Sequence, residues 1–254
     1  MLGEAADRTP AFPGIGPLPD RPIRLVLAPT RIAFDSITRG RLPSWSEGAA
    51  FPETGTIVIL AVGHPDRLTS VARHELAHLA LRWKVRRGAP LWFEEGYAAV
   101  AAREWGRLDA LRLNWEVARG RLPDLDGVDR ALRGDRGDAE AAYAFATSAV
   151  GLLERWGGER GLGPLIDQLS GDPSFEGAIR ATYHITGDDF EERWQRDVRS
   201  HYGWLSWASS VGLFWSLAAV LVIILWRVRR RRYRTRRAQL DETSQILDEQ
   251  GIAG

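Results

Sequence analysis

Residues 73–78 read Arg73-His74-Glu75-Leu76-Ala77-His78, and the apolar residues around them have the period of a helix. Leu68, Ala72, Leu76, Leu79, Ala80 and Trp83 fall within one arc at about 100° per residue, so the spacing predicts a helix over 68–83 with that arc as its core face. In such a helix positions i and i+4 project only about 40° apart, and His74 and His78 can reach one metal ion. Glu75 stands about 100° round from His74, beside them. Two imidazoles and a carboxylate, with a fourth position left for water, suit Zn2+. Three fixed positions in five arise by chance in roughly 1% of chains this long, which favours a metal site over a solvated histidine face. Leu81 and Val85 share the histidine side, so that side is expected to be covered, and covered neutral imidazoles need a partner.

Gly88 and Pro90 close this helix, and Leu91-Trp92-Phe93-Glu94-Glu95-Gly96-Tyr97-Ala98 opens the next, with the small residues of 98–102 suited to close packing. H-E-x-x-H followed by W-x-x-E-G-x-A resembles the gluzincin metallopeptidases, and among them the small peptidase MA-like domains. The resemblance implies that Glu95, the glutamate before Gly96, is the third zinc ligand; periodicity by itself does not choose between Glu94 and Glu95. Glu94 projects about 100° away and is expected behind the site or at the surface. The likeness covers about 21–200, sharply at the two motifs and more loosely through Tyr143–Ser148, Leu153–Gly158 and Phe190–Trp194. Sixteen residues separate His78 from Glu95, a shorter interval than in the large aminopeptidases, and G-x-M-x-N is absent. The implied activity is therefore a zinc-dependent endopeptidase acting on a peptide or protein substrate. The implied fold is α+β, a small sheet packed on the zinc-binding helices with a helical C-terminal half.

In that chemistry zinc brings the pKa of a bound water toward about 7. Glu75 takes the proton as general base and passes it to the leaving amine. The oxyanion needs a further donor, for which Tyr143 is the first candidate and Tyr97, Tyr183 and His184 come after it. A simple packing role for Tyr143 beside Phe145 or Val150 competes with this. His64 and His201 are assigned no ligand role. The substrate is expected to add as an extended strand alongside Thr56–Leu60.

Other elements follow from the same patterns. Short strands are expected at Ile23–Ala28 and Thr56–Val62, and helices around 108–118, 138–156, 163–169, 174–182 and 188–200. Residues 1–20, rich in Gly and Pro, read as a lead-in to a domain over 21–200. Residues 204–226 carry no charge over 23 positions, a length of roughly 34 Å as a helix, which matches a hydrocarbon core of about 30 Å. A transmembrane helix is expected there, with Trp204, Trp207 and Trp226 as interfacial anchors. The tail over 227–254 opens with eight arginines and no acid in 227–237, which the positive-inside rule places in the cytoplasm, leaving the catalytic domain extracytoplasmic. That topology needs an export signal, which the first twenty residues lack. A signal lying upstream is favoured over a tail anchor inserted after synthesis.

The net charge of +1 hides this basic block, and no nucleic-acid-reading motif appears, so a nucleic-acid partner is not expected. With no cysteine, thiolate ligands and a cysteine nucleophile are excluded. A catalytically silent, metal-bound scaffold for cell-envelope partners is the competing reading. It has no need to keep Glu75 together with the three ligands. An intramembrane protease is excluded because Arg73, Arg82 and Lys84 flank the motif.

Overall fold

The architecture turns on β3 (Thr56–Leu60), whose apolar run on both faces is the pattern of a strand covered from two sides. In the computed structural model, which describes residues 12–18, 20–85, 88–171, 174–202 and 219–227, β3 is the centre of a three-stranded sheet. It runs parallel to β1 (Arg24–Ala28) and antiparallel to β2 (Gly48–Phe51). Val58 and Leu60 meet Phe34 of α1 (Arg31–Thr38) on one face. Ile57 and Ile59 turn to the other, where Ala72 and Leu79 of α2 (Pro65–Lys84) cover them, with Leu68, Leu76 and Trp83 alongside. Each such isoleucine taken out of water contributes about 1.5–3 kcal/mol, which seats α2 on the sheet.

α2 is covered a second time. Ala77, Ala80, Leu81 and Val85 belong to a larger core shared with α3 (Leu91–Ala102) and α6 (Arg136–Trp156). The expectation that the histidine side is covered is met, with Leu81 and Val85 buried. His64 caps α2 by accepting from the Asp66 amide at 3.4 Å, and Pro65 opens its first turn. Pro90 brings no capping side chain to α3. Asp129 of α5 (Leu125–Leu132) supplies one instead, accepting from the amides of Trp92 at 2.6 Å and Leu91 at 3.4 Å.

Gly96 explains itself in packing. A Cβ there would collide with the Ala146 carbonyl oxygen and with Val150 of α6, so only glycine allows α3 this approach. Trp92 has a packing role as well, its ring lying 5.4 Å from Phe175 of α8 (Phe175–Tyr183) and 5.8 Å from Phe190 of α9 (Gly187–Tyr202). Trp194 of α9 is fully buried and donates to the Ser148 hydroxyl at 2.9 Å. With α4 (Arg107–Ala118) and α7 (Gly163–Ser170), these helices form the helical C-terminal half.

The mixed α+β class, with a small sheet against α2, agrees with expectation. The elements that were not foreseen include α1, β2 and α5. Residues 12–18, expected within the lead-in, pack on the core: Phe12 is buried and the Pro13 carbonyl accepts from the Tyr97 hydroxyl at 3.0 Å. Residues 1–11 and the tail beyond 227 lie outside the described residues. So does most of the expected span over 204–226, of which 219–226 fall in a described, exposed helical stretch at 219–227. No helix among the described residues is long and apolar enough to cross a membrane.

Candidate metal centre

His74 and His78 stand one turn apart on α2, and Glu95 reaches them from the second turn of α3. The ring Nε2 atoms of His74 and His78 lie 3.4 and 3.6 Å from the same Glu95 oxygen, Oε2. One ligand atom from each residue falls within 4.8 Å of the other two. Ligands at about 2.0–2.2 Å from a tetrahedral zinc are separated by roughly 3.3–3.6 Å, and the two distances to Glu95 Oε2 fall in or next to that range. The order of elements explains the convergence. α2 is fixed by the sheet, α3 by Asp129 and by Gly96 against α6, and Glu95 sits on the turn between those two fixings.

Glu94 faces the other way. Its carboxylate takes a bond from Arg82 at 2.9 Å and from the Ala89 amide at 3.2 Å, closing the α2–α3 connection. Burial pushes its pKa up, against the pull of Arg82. Glu94 therefore lies outside the cluster of His74, His78 and Glu95.

Glu104 is the residue that sequence reasoning missed. After α3 ends, Arg103 adopts a left-handed conformation with φ of 58°, and the chain turns back toward α2. Glu104 Oε2 lies 3.0 Å from His74 Nδ1, while its Oε1 accepts from the Ser70 hydroxyl at 3.0 Å. A carboxylate on Nδ1 fixes the tautomer that leaves Nε2 free for a metal. Burial lowers the His74 pKa, but Glu104 and Glu95 more than offset this and hold it well above 6.5. For Glu95 burial acts upward, yet the two histidines outweigh it and keep the carboxyl far below its ordinary range. Both residues are thus set up as charged partners, an arrangement that a cation binding at Nε2 and Oε2 would replace. Glu104→Ala is expected to weaken zinc binding about 10- to 100-fold, the usual scale for a partner that orients a ligand, with the affinity read by competition against a chromogenic chelator.

Glu75 is buried and lies against Gly48 of β2, where any Cβ would collide with its carboxylate. Burial raises its pKa, with the two histidines opposing. Tyr143 from α6 completes the wall. Its ring lies 6.4 Å from that of His74 and 6.1 Å from Trp45, and its phenol is close enough to feel the Glu95 carboxylate. Burial, with the Glu95 carboxylate next, keeps the phenol protonated. Of the other candidate donors, Tyr97 is spent on Pro13 and Tyr183 on the Leu153 carbonyl at 3.0 Å. His184 caps the end of α8 in a left-handed conformation. His201 bonds within α9, to the Asp197 carbonyl at 2.9 Å.

His74, Glu75, Glu104 and Tyr143 line an open cleft of about 220 Å³, bordered by Trp45, Glu47, Gly48 and Arg67. Across its mouth Arg67 grips Glu47 with two bonds of 2.6 and 2.8 Å. One expectation is corrected here. Thr56–Leu60 is paired on both sides, by β1 and by β2, and offers no edge to an incoming strand. The edge strand beside Glu75 is β2, whose Gly-Ala-Ala-Phe sequence has no β-branched residue to announce it.

Comparison of the chain with protein-family models, with curated proteins and with solved structures gives no match.

Proposed function

We propose that the protein is a membrane-anchored, zinc-dependent endopeptidase of the gluzincin type. The observation that carries the reading is the convergence of His74 Nε2 and His78 Nε2 on Glu95 Oε2, at 3.4 and 3.6 Å, within a cluster able to hold a metal ion, with Glu75 next to them but outside the set. Zn2+ held by these three residues would polarise a substrate carbonyl and make water acidic enough to deprotonate near neutral pH.

Everything else is done by the chain. Glu75 accepts the proton of the attacking water at its carboxylate and then delivers it to the leaving amine. Its place beside the cluster and against Gly48 puts the carboxylate within reach of a water at the site. The Tyr143 hydroxyl, kept protonated by its surroundings, supplies a donor for the developing oxyanion. The free edge of β2 supports an extended peptide through main-chain bonds, which place a carbonyl without selecting its side chains. Arg67 is engaged by Glu47, and Glu104 by Ser70 and His74. Neither is left to anchor a terminal carboxylate or amine, which favours internal cleavage over trimming of ends.

The membrane part of the reading rests on the uncharged stretch 204–226 and the arginines that follow it. They support a single span with the tail cytoplasmic and the domain outside. Purified protein given a mixed peptide library is expected to cut within peptides. Cleavage should stop when a chelator removes metal and return on adding stoichiometric zinc. Cleavage indifferent to chelation would refute the proposal.

A further inference from the structure

We propose that α4 lies in the lipid interface of the membrane, with Trp105, Leu108, Leu111 and Trp115 seated among the headgroups and upper acyl chains. The inference rests on reading 204–226 as a span. α4 is built inside out for a helix facing water: it buries Leu113 and Asn114 and turns Leu108, Leu111 and Trp115 outward at 68, 54 and 52% exposure, with Trp105 at 38% just before its first turn. Positions 108, 111 and 115 share one face. A surface helix carries its polar residues there, and a contiguous apolar stripe with a polar margin marks an interaction site.

Three observations point to lipid as the occupant. The Trp105 ring lies 6.1 Å from that of Tyr202, the last described residue before the uncharged stretch begins at Trp204. The stripe is therefore placed where the chain leaves the domain. Two of its four residues are tryptophan, whose amphipathic ring favours the boundary between water and hydrocarbon. The margin is basic. In sequence Arg103 and Arg107 stand on either side of Trp105 and Arg119 and Arg121 follow Trp115, and Arg119 lies over the Trp115 ring at 4.2 Å. The acids of α4 are Glu116 and Asp109, and Asp109 is engaged by the Gly106 amide and by Arg112. Arginines around an apolar face match a surface bearing anionic headgroups. A second attachment of this kind restricts tumbling of the catalytic domain on its tether.

The chain has no cysteine, so Leu108→Cys and Leu111→Cys can each carry a single spin label without disturbing the buried face of α4. Glu53→Cys serves as the control. It is exposed in the β2–β3 turn beside Pro52, whose carbonyl accepts from Trp83 near the end of α2, whereas Glu104 meets α2 near its start. The full chain is reconstituted into vesicles of phosphatidylethanolamine with a minority of phosphatidylglycerol. Flotation with the vesicles is expected, and a chain that fails to float refutes the span and this proposal together. In floated protein, labels at 108 and 111 should collide several-fold less with a water-soluble nickel chelate, and more with oxygen, than the label at 53. Labels at 108 and 111 as open to nickel as that at 53 would overturn the proposal and leave the span intact. Protection that persists in detergent, with dipolar broadening removed by dilution with unlabelled protein, would assign the stripe to a second copy and overturn it as well.

Discussion

Replacing Glu75 by Gln is expected to lower peptide cleavage by about 10²- to 10⁴-fold while zinc content and thermal unfolding stay near wild type. The substitution keeps the volume of a side chain that is buried against Gly48, and it keeps one oxygen as an acceptor. What it removes is the capacity to take a proton and return it. Because Glu75 serves as base in one step and acid in the next, the loss should fall toward the upper part of that range. Glu75 is not among the three residues whose ligand atoms converge, so the metal should remain. Cleavage rate and zinc content measured on the same preparations decide the matter. Unchanged cleavage would show that another group moves the proton. Lost zinc would show that Glu75 is itself a ligand.

The neighbouring glutamates should separate just as sharply. Glu95→Ala removes the oxygen to which both histidine Nε2 atoms turn, and most bound zinc should be lost with it. Glu94→Ala removes instead the partner of Arg82 and of the Ala89 amide. Zinc should stay, and stability should fall by about 1–3 kcal/mol, the cost of leaving part-buried donors without an acceptor. Zinc analysis together with a denaturation midpoint on each variant tests both statements. Equal zinc loss in the two would contradict the ligand assignment.

Much of the candidate metal centre was legible because it is local. An i, i+4 pair of histidines needs only a helix, and the 3.6-residue period around Leu68–Trp83 announces one. Glu95 was legible only through likeness to a motif, since α3 is apolar on several sides and its period does not say which glutamate turns inward. The structure supplies the physical reason through Gly96, which brings α3 against α6, and through the Arg82 bond that draws Glu94 away. Glu104 could not be read. It follows a left-handed arginine where a glycine would ordinarily signal the turn, and its contact with His74 spans thirty positions of sequence.

The fold shows the same division. Long helices with sustained periods, such as Arg136–Trp156, were predicted close to where they lie. α1 and α5 are eight residues each, too short for a period to stand out, although Thr30 and Asp124 cap them in the usual way. β2 owes its strand conformation to pairing with β3 rather than to β propensity, and this is why the sheet edge was assigned to the wrong strand.

The central claim is that His74, His78 and Glu95 hold one zinc ion, and the most direct measurement is elemental analysis of the purified protein after equilibration with limiting zinc. The account predicts one zinc per chain in the wild type and little in Glu95→Ala. A wild-type chain that leaves equilibration without stoichiometric metal, or a Glu95→Ala chain that retains all of it, would contradict the account.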